Sequence, residues 1–454
     1  MNQDDAEQIH RTSLRILDEI GVRLEHEEVV ERLLRAGAVA GSGAGEVRIP
    51  PRMVEDCLAT VPSRVSLADR NGGEILLSTA SPPVFWTNPG LNILEGTEVR
   101  EVTSRDLGSI ARLSDHLSNI DGVMGMAMTD VEPWHRDFVG VRVIAESCRK
   151  HVRALCFTPQ GMEALAEMKQ VFPGNWLSMG FTAHGPLRWT YLALEIFRKS
   201  SGHGIPTTIN GEPMAGVTGP VSLPGSAVVG NAEILSGIIV NQVLEPGRPM
   251  IYNLGLAHTF DMKYATAVTG GPENALLAHA SAEMGRFYNI PSSSWVSTDS
   301  LFDDPQASAE KMFGFQTHMA SGVNLIWGIG QLESEKTISL AQMVIDDEMI
   351  DYVRRYQDAF EVNEEALRFA LIKEVGIGGS FLDSEDTLEN FRKELWMPSL
   401  FNRRVRAADS RPLEEVARCR ANETTHGDAE PKIAPDELAE LMRIETTFRR
   451  KIGG

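Results

Sequence analysis

The amino-acid sequence predicts an α/β fold of the TIM (β/α)8 barrel type, on three observations. From about residue 103, short apolar runs typical of buried strands alternate with amphipathic helical patterns. The spacing between successive runs leaves room for a crossover helix, which implies parallel strands. No GxGxxG sequence opens a helix after the first run, which disfavours the rival open sheet that binds dinucleotides.

The barrel is predicted to occupy residues 103–400, between an N-terminal α/β layer over 1–102 and a C-terminal helical segment over 401–454. Its expected strands are 122–129, 151–158, 175–182, 205–212, 249–255, 290–297, 324–330 and 374–382. In the N-terminal layer, residues 5–37 have the periodicity of two amphipathic helices and residues 65–77 alternate like strands. Residues 435–448 predict one amphipathic helix that packs outside the barrel or against a partner subunit.

Composition excludes several classes of protein. The net charge of −20 argues against a broad nucleic-acid-binding face, because phosphates require a basic surface. The four cysteines have no CxxC spacing, so neither a disulfide framework nor a zinc cluster is expected. With an acidic N-terminus and no run of about 18 apolar residues, we expect a cytoplasmic protein that spans no membrane.

Motif searches remove further classes. The sequence contains no HExxH, no GxSxG and no GxxxxGK[ST], which disfavours the corresponding zinc, serine and P-loop hydrolases. A Gly-rich stretch over 211–220 lacks the phosphate-binding lysine. We therefore expect no metal site.

The loop after the strand at 324–330 is the predicted centre of the chemistry, because barrels place functional groups just after their strands. It carries Gln331 and Glu333, and Asp299 follows the preceding strand. These three residues are the catalytic candidates. Each carboxylate could equally be a helix cap or a solvated loop charge, and the acidic run 346–348 is expected to be a solvated or interhelical face.

Aromatic residues near strand ends indicate a site for a quaternary ammonium group. Such a cation binds to ring faces, with about 0.5–2 kcal/mol per contact, and to a nearby carboxylate. A tryptophan near a strand end could equally be core packing. The candidate substrate-binding residues are Trp86, Asn210, Glu212, Tyr252, His258, Trp295 and Trp327.

Several stretches together resemble the trimethylamine methyltransferase superfamily, specifically its branch that lacks pyrrolysine and acts on glycine betaine and other quaternary amines. The similarity covers about residues 5–405. Two stretches differ from the family pattern, at Asp386-Thr387 and over 334–336. The stretches that carry the resemblance are 9–22, 48–51, 103–107, 119–121, 214–223, 231–235, 270–273, 304–311, 331–333 and 344–348.

The resemblance implies a TIM-barrel enzyme that moves a methyl group from a quaternary amine to the Co(I) of a corrinoid. In that family the corrinoid (cobalamin) is carried by a separate small protein, so this chain is expected to hold no cofactor tightly. A homo-oligomer is also expected. Two alternatives stay open: a quaternary-amine-binding protein without catalysis, and a barrel aldolase or lyase that uses a metal or a lysine such as Lys263 or Lys336.

Overall fold

A closed barrel of eight parallel strands forms the centre of the computed structural model, which describes residues 1–425 and 431–452. The barrel confirms the predicted fold class. Each strand contributes alternate side chains to the lumen and to the surrounding helices. The strands are β1 Val84–Thr87, β2 Gly122–Met124, β3 His151–Arg153, β4 Leu177–Thr182, β5 Thr207–Asn210, β6 Met250–Gly255, β7 Ser292–Trp295 and β8 Leu325–Ile329.

One long helix follows each strand and covers the outside of the barrel. The first begins with a capping box in which the Thr103 and Asp106 side chains bind each other's backbone N–H groups, as the sequence predicts. The helices are α1 Ser104–His116, α2 Arg136–Ser147, α3 Pro159–Met168, α4 Tyr191–Ser200, α5 Leu223–Leu244, α6 Pro272–Tyr288, α7 Pro305–Ala320 and α8 Leu340–Gln357.

The position of one strand differs from the prediction. Strand β1 lies in the segment assigned to the N-terminal layer, and residues 374–382, expected to be a strand, contain only a helix end and turns. A hairpin of Asn92–Glu95 and Glu98–Glu101 separates β1 from α1 and hides the strand–helix alternation. The eighth strand is therefore β1, while the domain limits at residues 102 and 400 stay predictions.

A second hairpin, Val65–Ala68 with Glu74–Leu77, closes the amino-terminal end of the barrel. Its apolar side chains join the lumen cluster that contains Trp86, Ile251 and Leu325. Because this end is filled, access to the lumen is from the carboxyl ends of the strands. This is the end at which barrel enzymes carry their functional groups.

The N-terminal segment packs on α5 and α6, and it contains the predicted helices. Helix α5 is long and apolar enough to cross a membrane by length and composition, with a mean hydropathy of 1.4 over its best window. However, 72% of that window is buried within the fold. The elements of this segment are helices Gln3–Arg15, Ile16–Ile20 (a π-helix), Glu27–Arg35 and Pro51–Leu58 and strands Val22–Leu24, Val39–Ala40 and Glu46–Arg48, with Arg188–Trp189 completing the sheet.

The loops at the ends of the barrel contain further short strands and turns. Two more helices cover the outside of the barrel. Helix Pro435–Ile452 packs against α2, with Phe448 6.3 Å from Phe138 between ring centroids, as expected for a helix outside the barrel. The remaining elements are strands Met214–Ala215, His258–Asp261, Thr266–Val268, Gln331–Leu332 and Thr337–Ile338, 3-10 helices Pro133–His135 and Lys169–Val171, and helix Leu413–Thr425.

A buried ion pair fixes the turn at the end of β8. Lys311 Nζ lies 2.7 Å from Asp346 Oδ2, and both side chains are 0% exposed. The same carboxylate accepts the Gly330 N–H at 2.7 Å, and Lys311 also donates to Gly328 O. Of the two expectations for this acidic run, a solvated or an interhelical face, Asp346 has the interhelical position, because it packs between α7, α8 and the end of β8.

Residues 358–411, which we name the arm, are packed much less tightly. They contain helices Phe369–Val375 and Glu385–Glu394, neither of which has a buried residue. Glu348 of α8 fixes the far end of the arm by accepting the N–H groups of Leu400 and Phe401, each at 2.9 Å.

Candidate functional site

A cavity of about 540 Å³ opens at the carboxyl ends of strands β3 to β6. Its walls come from β4 and from the loops that follow β3, β4, β5 and β6. Helix α4 also contributes Ala193 and Ile196, and the lining side chains include both apolar and polar groups. The lining residues are Cys156, Phe157, Met179, Gly180, Phe181, Thr182, Ala183, His184, Gly185, Ala193, Ile196, Glu212, Met214, Thr218 and His258.

Three carboxylates interact at this mouth, and none has a salt-bridge partner within residues 1–425 and 431–452. Burial, followed by the charges of Glu335 and Glu233, raises the pKa of Glu212 to about 8. Burial also raises the pKa of Glu233 and the pKa of Glu335, each to about 7. A positively charged ligand stabilises the ionised form of carboxylates that have no salt-bridge partner, so this cluster favours such a ligand.

Glu233 belongs to α5, where it is the only acidic residue of an apolar helix. Its Oε1 accepts the Leu187 N–H at 2.9 Å. Its Oε2 is buried, and a contact with the backbone N–H of Glu212 opposes the effect of burial on the pKa of this carboxyl. The sequence signal for this residue was available, since a lone carboxylate in an apolar helix indicates a specific role.

The loop that carries Glu335 has an unusual backbone. Glu333, Ser334 and Glu335 have φ angles of 53°, 49° and 86°, a left-handed conformation that non-glycine residues rarely adopt. The Glu333 N–H donates to Ser300 O at 2.8 Å, and the Ser334 N–H donates to Thr298 O at 3.0 Å. Such strain, about 1–3 kcal/mol per residue, persists where surrounding contacts impose it and is common at functional sites.

None of the three predicted catalytic residues lines the cavity. Their side chains instead form hydrogen bonds that hold this loop and the loop that follows β7. Asp299 accepts hydrogen bonds from the Thr269 N–H at 2.9 Å and from Ser334 Oγ at 2.6 Å. Gln331 Oε1 accepts the Thr298 N–H at 3.0 Å, and Glu333 Oε2 accepts from Thr337 at 2.7 Å. Their catalytic role stays a prediction.

Three of the four predicted aromatic residues lie together in the barrel lumen. Trp86 and Trp327 have ring centroids 6.5 Å apart at an angle of 18°, and Trp295 is the register partner of Trp327. All three join one apolar cluster. Tyr252 lies elsewhere: its side chain faces α5 and α6, and its hydroxyl donates to Asn231 Oδ1 at 2.8 Å. The alternation along β6 turns Tyr252 outward.

A polar layer crosses the lumen on three adjacent strands. Thr182, Asn210 and Asn253 are register partners. Asn253 Nδ2 donates to Asn210 Oδ1, and Asn210 Nδ2 donates to Thr182 Oγ1, each at 2.9 Å. Asn210 therefore lies inside the barrel as part of a fixed hydrogen-bond chain.

His258 lines the cavity close to Trp295, with ring centroids 6.1 Å apart. Its Nδ1–H donates to Leu256 O at 3.0 Å. Burial lowers the pKa of His258, which favours the neutral ring and leaves Nε2 as an acceptor.

The residues that a barrel aldolase or lyase would need, a reactive lysine or a set of metal ligands, are less favourably placed. Lys263 and Lys336 are exposed, and the buried Lys311 is paired with Asp346. In the described ranges, no group of three or more His, Cys, Asp or Glu side chains could hold a metal ion. Beyond Glu233 and Glu335, the sequence analysis also missed Arg153, whose signal was a cation inside an apolar strand.

A (β/α)8 barrel with an acidic cavity at its carboxyl end has the architecture of a barrel enzyme. The family model described as "Trimethylamine methyltransferase (MTTB)" matches residues 1–452. The chain belongs to this family, as its sequence motifs suggested, and it is a methyltransferase.

Named relatives and a solved structure are similar to the chain over most of its length. Trimethylamine methyltransferase MttB of Desulfitobacterium hafniense is 30% identical, over 85% of this chain and 80% of the relative. Glycine betaine methyltransferase of Desulfitobacterium hafniense is 27% identical, over 100% and 98%. The monomethylamine methyltransferase structure (MtmB) of Methanosarcina barkeri has a TM-score of 0.53 at 14% identity, covers 99% of this chain and 92% of that one, and supports the fold.

Proposed function

We propose that this methyltransferase moves a methyl group from a quaternary amine to the Co(I) corrinoid of a separate small protein. The observation that carries the proposal is the cluster of Glu212, Glu233 and Glu335, which has no cationic partner among the described residues and lies at the accessible end of the barrel. The names of the relatives, which include a glycine betaine methyltransferase, support the same class of substrate.

A quaternary ammonium group fits this site for a physical reason. It has no N–H, so it cannot be held by hydrogen bonds, and it is stabilised instead by carboxylates and by aromatic faces. In this proposal Glu212 supplies the charge at the rim, while Trp86, Trp295 and Trp327 form the apolar surface beneath it. His258 and Asn210 flank the substrate as neutral polar groups.

The proposed methyl transfer does not require an acid or a base from this chain. When a methyl group leaves a quaternary nitrogen, the amine departs neutral and needs no proton. The chain therefore has to remove water, orient the methyl–nitrogen bond toward the mouth and leave the mouth free for the partner's corrinoid. We assign Asp299, Gln331 and Glu333 a positioning role, because their hydrogen bonds hold the loop that carries Glu335.

The arm supports the proposal of a homo-oligomer. Twelve large apolar side chains are exposed in it, including Phe360 at 81%, Ile377 at 109% and Val405 at 91%. Acidic residues outnumber basic ones nine to two over 358–391, whereas basic residues outnumber acidic ones six to two over 392–411. Two copies of such an arm are complementary in charge, so we propose a second copy of this chain as the occupant.

The test of the reaction uses purified protein, free Co(I) cobalamin and a panel of quaternary amines that includes glycine betaine, choline and carnitine. The expected result is loss of the Co(I) absorbance with at least one of them, and its retention in the Glu212→Gln variant. The exposed Glu389→Gln variant, which lies in the arm, is the matched control and is expected to behave like the parent. Binding of these amines without any loss of Co(I), also when a corrinoid protein is supplied, would support the binding-protein alternative.

The pH dependence of binding tests the role of the carboxylates. A cation binds to their ionised forms, so raised pKa values of about 7 to 8 for Glu212, Glu233 and Glu335 predict weaker binding in acid. We expect the affinity for choline, whose charge does not titrate, to fall roughly tenfold between about pH 8.5 and pH 6, as measured by calorimetry. An affinity that is flat over this range contradicts the assignment.

A further inference from the structure

Arg153 is a buried cation in the barrel lumen without an acidic partner. The residue is 4% exposed, its Nη1–H donates to Ala154 O at 2.7 Å, and its Nη2–H donates to Thr208 Oγ1 at 3.2 Å. Its Nε is buried and has no acceptor in the described ranges. Arg248, which is equally buried, has Glu245 at 3.7 Å. A buried guanidinium that lacks such a partner favours an anion in contact with it.

Two more hydrogen-bond donors lie in the same lumen, one of them on a ring near the guanidinium. Arg153 Cζ is 5.9 Å from the centroid of the Trp327 ring, and Trp295 is the register partner of Trp327 on the adjacent strand. The Nε1–H groups of both tryptophans are buried and have no acceptor among residues 1–425 and 431–452. Three donors in one lumen call for an acceptor that takes several hydrogen bonds, and a carboxylate does so.

The backbone of β4 leaves room for the guanidinium to border the cavity. A Cβ on Gly180 would lie 1.9 Å from Arg153 Nη2 and 2.2 Å from Thr208 Oγ1. Gly180 is also a lining residue of the 540 Å³ cavity. The guanidinium therefore contacts Gly180 from the lumen side, and any larger residue at position 180 would displace it.

The charges are ordered along the barrel axis. On β5 and its following loop, Thr208 contacts the guanidinium, Asn210 is one repeat higher, and Glu212 lies beyond it at the rim. Each two-residue step along a strand rises about 6.6 Å. The site thus has its positive group at depth and its negative groups at the mouth, and by this rise Thr208 and Glu212 are about 13 Å apart along the strand.

We infer that the lumen binds the substrate as a zwitterion, with its carboxylate on Arg153 and the two indole N–H groups and its ammonium group toward Glu212. This inference rests on the proposed function for the methyl transfer, and it names the substrate class as ammonium carboxylates. In this orientation the methyl groups face the mouth. A tertiary amine or an amino alcohol lacks the group that Arg153 binds.

The test compares two ligands with the same trimethylammonium head, glycine betaine and choline, in calorimetric titrations without corrinoid. We expect the parent protein to bind betaine at least tenfold more tightly than choline. The Arg153→Gln variant is expected to lose that preference while its affinity for choline changes less than twofold. Arg153→Lys, which keeps the charge, is expected to recover part of the betaine affinity, and Trp327→Phe, which removes one N–H and keeps a ring, to lose about threefold for betaine alone.

The outcomes separate this inference from the proposed reaction. Equal losses for both ligands in Arg153→Gln, or no loss for either, would overturn the assignment of Arg153. If choline but not betaine consumes Co(I), the reaction stands and the zwitterion site fails. If betaine binds through Arg153 and no Co(I) is consumed, the site stands and the proposed reaction fails. Thermal midpoints of the variants show whether each is folded.

Discussion

The barrel and the arm belong to one chain but differ in how their side chains are used. In the barrel, even charged groups such as Lys311 and Asp346 are fully buried and paired. In the arm, Leu400 is the one buried residue of 358–411, and large apolar side chains face outward. The barrel covers most of its apolar side chains with its own helices, whereas the arm leaves apolar surface that a folded monomer does not cover.

This difference indicates that separate regions of the protein determine its stability and its assembly. Removal of a buried contact in the barrel should change the free energy of unfolding. A change on the exposed face of the arm should instead change association between chains. The following substitutions test this separation, from the largest expected effect on stability to the smallest.

Asp346→Ala should have the largest effect. It leaves the Lys311 ammonium buried without its carboxylate and removes the acceptor of the Gly330 N–H. We expect a loss of about 3–5 kcal/mol in the free energy of unfolding, measured by urea denaturation. Glu7→Ala, which breaks an exposed pair with Arg11, is the control and should cost less than about 0.5 kcal/mol. Similar losses in both variants would contradict the contrast.

Glu348→Gln tests the attachment of the arm to the barrel. The carboxylate accepts from the N–H groups of Leu400 and Phe401 and from Ser399 Oγ. Loss of its charge should cost about 1–2 kcal/mol and should speed amide exchange around residues 399–401 while the barrel strands stay protected. Faster exchange throughout β8 would show that Glu348 supports the barrel instead. Glu389→Gln is the matched control.

Ile377→Ser and Leu388→Ser should have the smallest effect on the isolated chain. Both side chains are exposed, at 109% and 74%, so the free energy of unfolding of the dilute monomer should change by less than about 0.5 kcal/mol. The oligomer should nevertheless become smaller or weaker, as measured by light scattering after size-exclusion chromatography. An unchanged assembly with both substitutions would contradict the arm as an interface.

The same mouth carboxylates also predict a stability trend. Their pKa values in the folded chain, about 8 for Glu212 and about 7 for Glu233 and Glu335, lie above those of an unfolded chain. Their contribution to stability is therefore complete below about pH 4 and is lost as the pH rises toward 8. In Glu212→Gln, the free energy of unfolding should fall less between about pH 4 and pH 8 than it does in the parent protein. This fall in stability with rising pH is opposite in direction to ligand binding, which should strengthen as the pH rises.

Several features followed from the sequence, each for a local reason. The alternation of apolar runs and helical patterns predicted the barrel, and the Thr103–Asp106 pair predicted the start of α1. The expectation that functional residues follow the ends of strands predicted Glu212 and His258, and both residues line the cavity. The aromatic prediction brought together Trp86, Trp295 and Trp327 but missed the outward orientation of Tyr252.

Other features depended on contacts between distant segments. Glu233 is about 100 residues from Glu335 along the chain, and only the closed barrel and α5 bring both carboxylates to Glu212. Sequence patterns also left β1 in the wrong layer, because an inserted hairpin separates it from α1.

The sequence by itself determined which segments form strands and helices, since that choice depends on periodicity and on neighbouring residues. It also carried the motifs that identify the family. Which carboxylates share one mouth, and which cation lies beneath them without a partner, was decided by the tertiary structure. The physical reason is that burial and electrostatic coupling depend on distances between residues that are far apart along the chain.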